Sequence, residues 1–295
     1  MSLKSSLLAS LCACFLIVST LLEPTVATQP SGIGVGKSFK GPLGVQLYSF
    51  RKDFARDVPG TLAKVRALGF RNVELAGTYG LTPQAFRAEL DKAGLKALSM
   101  HVSLADFRDR VDQVISDAKI LGATYVGVAW IKVNNTVTAD EIRNAAAILN
   151  RAGEKLAAAG LKVFYHIHGY EFQPADKGTL FDIFIEQTNP KFVDIQMDIY
   201  WAVHGGQDPV KMFVKYPGRI TSMHLKDMRK GVVGNFSGQG SQEDDVALGT
   251  GQIDFVAALR AAKKAGVKWY FIEDESSAVY DQIPVTLKYL EQVKF

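Results

Sequence analysis

From Gly41 to the C-terminus the chain alternates eight times between a short run of β-branched and aromatic residues and an amphipathic stretch, most of which end at a glycine. The runs are GVQLYS (44–49), NVELAG (72–77), KALSMHV (96–102), YVGVAW (125–130), KVFYHIH (162–168), VDIQMDI (193–199), ITSMHLK (220–226) and WYFIED (269–274). Between them apolar residues recur three and four apart, as Leu62, Val65 and Leu68 do before Gly69, the period of a helix with one buried face. Thr82 and Pro83 supply an N-cap and a proline at the first helical position, and Gly94 supplies a stop. Thr138 and Glu141 form a capping box for a helix running to Gly160. Further helices are expected from Asp106 to Leu121 and from near Gly178, Asp208, Ile253 and Ile283. Repeated βα units without a second composition regime close most simply into one α/β domain, a (β/α)8 or TIM barrel of about 250 residues. An open doubly wound sheet would carry a glycine-rich phosphate turn after its first strand, and Tyr48-Ser49-Phe50-Arg51 is not one.

The first residues do not fit that pattern. Met1 to Lys4 carries one positive charge, Leu7 to Leu22 is apolar, and Thr25-Val26-Ala27 offers small residues for cleavage. This is the layout of a secretory signal peptide over 1–27, with an apolar run shorter than the ~20 residues that span a bilayer. A secreted or periplasmic location follows as an expectation, with no membrane anchor after cleavage. Residues 28–40 read as a flexible leader, and Gly36-Lys37-Ser38 only imitates the end of a phosphate loop. Both cysteines, Cys12 and Cys14, precede the cleavage point, so the mature chain has no thiol nucleophile and no cysteine metal site. A net charge of +4 without a basic block argues against nucleic acid as a partner.

Histidine and carboxylate gather at the ends of the expected strands: His101, His166, His168, Asp198, His224 and Glu273. In such barrels strand C-termini meet on one face, where the chemistry sits, and these side chains are the ligand types of a divalent cation held by oxygen and imidazole. Alternation puts His166 and His168 on one side of their strand, Asp194, Gln196 and Asp198 on one side of theirs, and His224 with Lys226. Charges at the buried ends of strands need compensation, which a shared cation provides. Glu74 and His101 are candidates for holding substrate hydroxyls, and Tyr48, Trp130 and Trp201 for offering apolar faces. His204 is expected to be exposed. The Gly-, Ser- and Gln-rich stretch from Asp227 to Gly251 is long enough to serve as a lid.

The runs YHIHGYEF (165–172), MDIYWAVHGGQDP (197–209), RITSMHLKD (219–227), ALGTGQIDF (247–255) and FIEDE (271–275) occur in an order that resembles the sugar phosphate isomerase/epimerase group of the xylose isomerase-like barrels. The likeness extends over Gly41–Phe295. It implies a divalent ion (Mn, Mg, Co or Zn) bound by an acid on the fifth strand and by Asp198, His224 and Glu273. Strand five departs from the group's usual glutamate, leaving Glu171 or His166 as the fourth ligand. Glu171 is preferred because it keeps the site rich in hard oxygen donors. His168 matches the base of a dehydratase relative, His166 falls to the substrate if Glu171 binds the ion, and Lys226 suits an enolate oxygen.

The resemblance implies a metal-dependent sugar isomerase or epimerase that removes an α-proton and passes through an enediolate, with His168 or Glu273 as base. A lyase or hydratase acting on 3-keto-glycosides or related oxidised sugars is the alternative. The strand-five histidines favour it, and so does export, since phosphorylated sugars are scarce outside the cytoplasm. A secreted carbohydrate-binding protein without catalysis is a third reading, and the number of ionisable residues argues against it. The expected partner is a small carbohydrate; oligomer formation is left open.

Overall fold

The computed structural model describes residues 32–131 and 137–295; the expected signal peptide, with Cys12 and Cys14, lies outside them. Eight strands form the barrel: β1 (Leu43–Gln46), β2 (Asn72–Leu75), β3 (Lys96–Val102), β4 (Tyr125–Val128), β5 (Lys162–His166), β6 (Val193–Asp198), β7 (Ile220–Leu225) and β8 (Trp269–Ile272). They pair in parallel in chain order, and β8 closes on β1. Outside run α1 (Val58–Ala67), α2 (Pro83–Ala93), α3 (Val111–Leu121), α4 (Ala139–Ala158), α5 (Leu180–Gln187), α6 (Pro209–Lys215), α7 (Phe255–Ala265) and α8 (Val279–Gln292). No described helix is long and apolar enough to cross a membrane.

Alternation along the strands divides the barrel as expected. Val45, Val73, Val126, Val163, Ile195, Met223 and Ile272 are buried toward the helices, while the intervening residues enter the lumen. Inside, the rings of Phe164 and Phe271 are buried below the polar residues. Gly127 and Gly44 make room for them: a Cβ at Gly127 would stand 2.2 Å from the Phe164 ring, and one at Gly44 2.8 Å from Phe271. Phe164 meets His101 edge-on at 5.3 Å and Phe271 meets His224 at 6.1 Å, so the apolar filling directly supports the imidazoles above it.

The caps read from the sequence are present. Thr82 accepts from Ala85 N, Thr138 and Glu141 make their capping box, and Gly94 ends α2 at φ 67°. Boundaries shift where the chain turns into the site. β1 stops at Gln46, whose side chain accepts from Tyr48 N and starts a 3-10 turn over Leu47–Phe50. β5 stops at His166, and β8 at Ile272. The helix expected from Asp106 splits into Leu104–Asp109, capped by Ser103 and Asp106, and α3. The last helix begins at Val279, four residues before the expected Ile283.

The described part of the leader, 32–40, is packed and not loose. Phe39 is buried edge-on against Tyr270 at 5.0 Å, Gly34 N donates to Glu291, and Phe295 N donates to Ser38. The long segment after β7 is anchored at its base. Asp227–Met228 pairs antiparallel with Asp245–Val246, and the Asp227 carboxylate accepts from the amides of Met228, Gly249, Gly251 and Ile253.

Candidate active site

The C-terminal mouth of the barrel opens into a cavity of about 590 Å³. Its wall includes His101, His166, His168, His224, Lys226 and Glu273 from the strand ends, and Tyr48, Trp130 and Trp201 beside them. Gly238 to Gln242 of the long loop form the far side. Tyr48 and Trp130 are exposed and Trp201 is buried, so all three of the expected aromatic residues face the cavity.

At its floor the register sets Asp198 opposite His224 and Phe271 opposite His224. Donor atoms of Asp198, His224 and Glu273 all lie within 4.8 Å of one another. Asp198 ends β6 and caps the short helix Ile199–His204: its Oδ1 accepts from Trp201 N at 3.1 Å. Its Oδ2 is buried and accepts no hydrogen bond, yet stands 3.9 Å from both His224 Nδ1 and His166 Nε2. His224 Nδ1 is 3.1 Å from Glu273 Oε2. Two donors that each sit about 2.1 Å from one ion stand no more than about 4.2 Å apart, and these separations satisfy that limit.

Charge points the same way. Glu74, Asp198, Asp245, Glu273 and Glu275 gather around two fixed cations, Lys226 and Arg51. Burial raises the Asp198 carboxyl well above its usual range, against the pull of Lys226 and His224. Burial also works against ionised Glu273, but Lys226 and His224 outweigh it and hold that carboxyl low. His224, despite burial, is pushed up to about 10 by Glu74 and Glu273. A buried carboxylate oxygen without a partner, beside an imidazole and a second carboxylate, is a donor set that suits a cation.

His168 is different. Burial and the like charge of Lys226, opposed by Glu273, lower it to about 3, so it is neutral at physiological pH. Its ring lies 5.3 Å from Trp130 and 5.6 Å from Trp201, and its Nδ1 has no hydrogen-bond partner. Lys226 is buried, with Nζ 2.5 Å from Glu275, 3.5 Å from Asp245 and 3.8 Å from Glu273. Burial disfavours its charge, yet those carboxylates raise its pKa well above the usual value. The wall therefore holds, outside the donor group, an uncharged imidazole and a permanent ammonium.

Three expected residues sit elsewhere than the sequence suggested. Glu171 does not join the donor group: the αL residue Gly169 turns the chain into a 3-10 turn, and its carboxylate accepts from Tyr165 OH and from His168 N at 3.0 Å. Tyr165 faces outward against Phe184 of α5, so Glu171 lies behind strand five, where burial raises it to about 7. His166, the alternative, is the strand-five residue that reaches the floor. Glu74 is fully buried beneath the cavity and does not line it; it accepts from Gln46, Ser99, Gln196 and His224. These bonds occupy its carboxylate within the floor, away from the cavity wall where substrate hydroxyls were expected to meet it. His204 is buried, not exposed, with Nδ1 3.1 Å from the Asn235 carbonyl of the long loop. Two participants had no distinct sequence signal. Asp245 lies in a loop without periodicity, and Gln196 is visible only as a polar residue on the inward side of its strand.

A family model described as "Xylose isomerase-like TIM barrel" matches residues 62–294. An inosose dehydratase of Geobacillus kaustophilus (strain HTA426) is 25% identical over 223 residues, covering 65% of this chain and 70% of that protein. An inosose dehydratase of Geobacillus thermodenitrificans (strain NG80-2) is 28% identical over 161 residues, and the match spans about half of each, 50% and 51%. The crystal structure of a sugar phosphate isomerase/epimerase from Parabacteroides distasonis ATCC 8503 superposes with a TM-score of 0.71 at 25% identity, over 85% of this chain and 98% of that one.

Proposed function

Because the chain belongs to the xylose isomerase-like TIM-barrel family, we propose that it is a divalent-metal-dependent lyase that eliminates water, or another β-substituent, from a polyhydroxylated ketone. Keto-cyclitols, the class named in its dehydratase relatives, and 3-keto sugars are the substrates this reading covers. The observation that carries it is His168, an uncharged imidazole whose Nδ1 has no hydrogen-bond partner, beside the donor group of Asp198, His224 and Glu273. Isomerase or epimerase chemistry by a facing pair of carboxylates has less support, because strand five offers His166 where that pair needs an acid and Glu171 is turned away.

Asp198 Oδ2, His224 Nδ1, Glu273 Oε2 and His166 Nε2 would hold the ion. When bound, it supplies Lewis acidity that draws electron density from the substrate carbonyl. His168 removes the proton on the neighbouring carbon; the C–H pair moves into the carbon–carbon bond and the carbonyl oxygen takes up negative charge. The Lys226 ammonium, on the same wall, stabilises that oxygen. The oxygen's pair then re-forms the carbonyl, the β carbon–oxygen bond breaks, and the imidazolium of His168 returns its proton to the departing hydroxyl. Water and an α,β-unsaturated ketone result, so protons and electrons balance without a redox partner. Tyr48 and Trp130 offer stacking faces for the ring.

Incubation with Mn²⁺ and an inosose, or a 3-keto-glycoside, in heavy water tests this. Loss of water or aglycone, falling about 10²- to 10⁴-fold in His168→Ala with metal binding retained, is the expected result. Deuterium uptake without elimination would return the chain to isomerase chemistry; neither event with any substrate would leave a binding protein. Export directed by residues 1–27 is a separate proposal, checked by N-terminal sequencing of the secreted protein, with a mature start near Thr28.

A further inference from the structure

Beneath the donor group lies a hydrogen-bonded chain that the reaction does not use directly. Glu74 is fully buried and, as a carboxylate, can only accept. Its Oε2 receives Gln196 Nε2 at 2.9 Å, which fixes which end of the Gln196 amide is nitrogen. The Gln196 oxygen must then face the other way, where it lies 2.7 Å from His166 Nδ1 and 3.3 Å from His101 Nε2. An amide oxygen accepts, so the proton of His166 belongs on Nδ1. Its Nε2 is left with a lone pair, and that atom is the one 3.9 Å from the orphaned Asp198 Oδ2. The other oxygen of Glu74 receives His224 Nε2 at 2.5 Å, leaving His224 Nδ1 toward Asp198 and Glu273. His101 Nε2 also approaches that oxygen, at 3.2 Å. Ser99 and Gln46 complete the acceptor's shell.

We propose that Gln196 is a positioning residue which, anchored on Glu74, sets the tautomer of His166 so that its Nε2 joins the donors of Asp198, His224 and Glu273. One buried carboxylate thus aims two imidazoles, one directly and one through an amide. The inference rests on the metal reading above. Partners that orient metal-bound histidines typically affect metal affinity about 10- to 100-fold, and Gln196 supplies the acceptor that glutamate on strand five would not need.

The test uses the near-isosteric Gln196→Met and, as a control, Ser99→Ala, which removes one hydrogen bond of the same buried cluster but leaves Glu74 held by Gln46, Gln196 and His224. Manganese binding is measured by calorimetry and the ring nitrogens of His166 by ¹⁵N NMR on the ion-free protein. Expected results are an Nδ1–H signature at His166 in the wild type, lost in Gln196→Met, and an affinity about 10- to 100-fold weaker in Gln196→Met but within about 3-fold of wild type in Ser99→Ala. An Nε2–H signature in the wild type overturns the proposal, as does equal weakening in both variants. If the wild type binds no manganese, the metal reading fails, and the ring signals still decide the assignment of His166.

Discussion

Lys226 is buried between Asp245, Glu273 and Glu275 and lies within 5.5 Å of the rings of Tyr200 and Trp201. Removing one member of a buried ionic group leaves the others uncompensated, at a cost of about 3–5 kcal/mol. Lys226→Met is therefore expected to shift the urea midpoint down by a cost of that order and to abolish turnover; an unchanged midpoint would mean that the carboxylates find other partners. At this scale the sequence was informative about side and poor about depth. Alternation correctly sent His166, Asp198 and His224 into the lumen. It could not tell that Glu74 sits a layer below the cavity, because the stagger between strands, with Gln46 opposite Glu74, is a property of closure and not of any one strand. Glu171 was misplaced for a different reason: it was preferred for the hardness of its carboxylate, and donor type does not reveal that a left-handed glycine beyond the last ladder residue turns the chain away.

The elements can be probed where two of them share one contact. Asp182 caps α5 through Thr179 and accepts from Lys215 at 2.6 Å and from Tyr216 at 2.8 Å at the end of α6. Burial raises its carboxyl, but those hydrogen bonds outweigh it and the net shift is downward. A lowered folded value means stability present above the unfolded pKa of about 3.9 and lost as pH falls through the folded one. Asp182→Ala should cost about 1 kcal/mol at neutral pH, and the difference from wild type should vanish on acidification; a pH-independent difference would leave only packing. Gly127 offers a second probe. A methyl group there drives into the Phe164 ring, so Gly127→Ala is expected to cost about 1–3 kcal/mol and to disturb His101, both readable by thermal melts and ring NMR. The eight strand positions were legible because each carries its own β-rich run. The helix Ile199–His204 was not: six residues show less than two turns of period, and so His204 was mistaken for a loop residue.

For the whole molecule, a cation held by Asp198, His224 and Glu273 would bind the folded chain alone, and so would link binding to folding. At about 100 times Kd a bound ion adds roughly 2.7 kcal/mol, which for a chain of this size raises Tm by about 5 °C. Manganese should produce that rise in the wild type and not in Asp198→Ala or His224→Ala; the same rise in all three would place the ion elsewhere. The topology was recoverable from sequence because βα alternation admits few closures, while the tying of the long loop back to Asp227 and Lys226 was not, since those contacts join residues about twenty apart with no repeating pattern. The buried phenyl rings of Phe164 and Phe271 carry one last implication. They fill the lumen beneath the imidazoles, in the space that Gly44 and Gly127 leave open. A molecule resting on the polar floor therefore meets the strand ends on one side and Gly238 to Gln242 on the other.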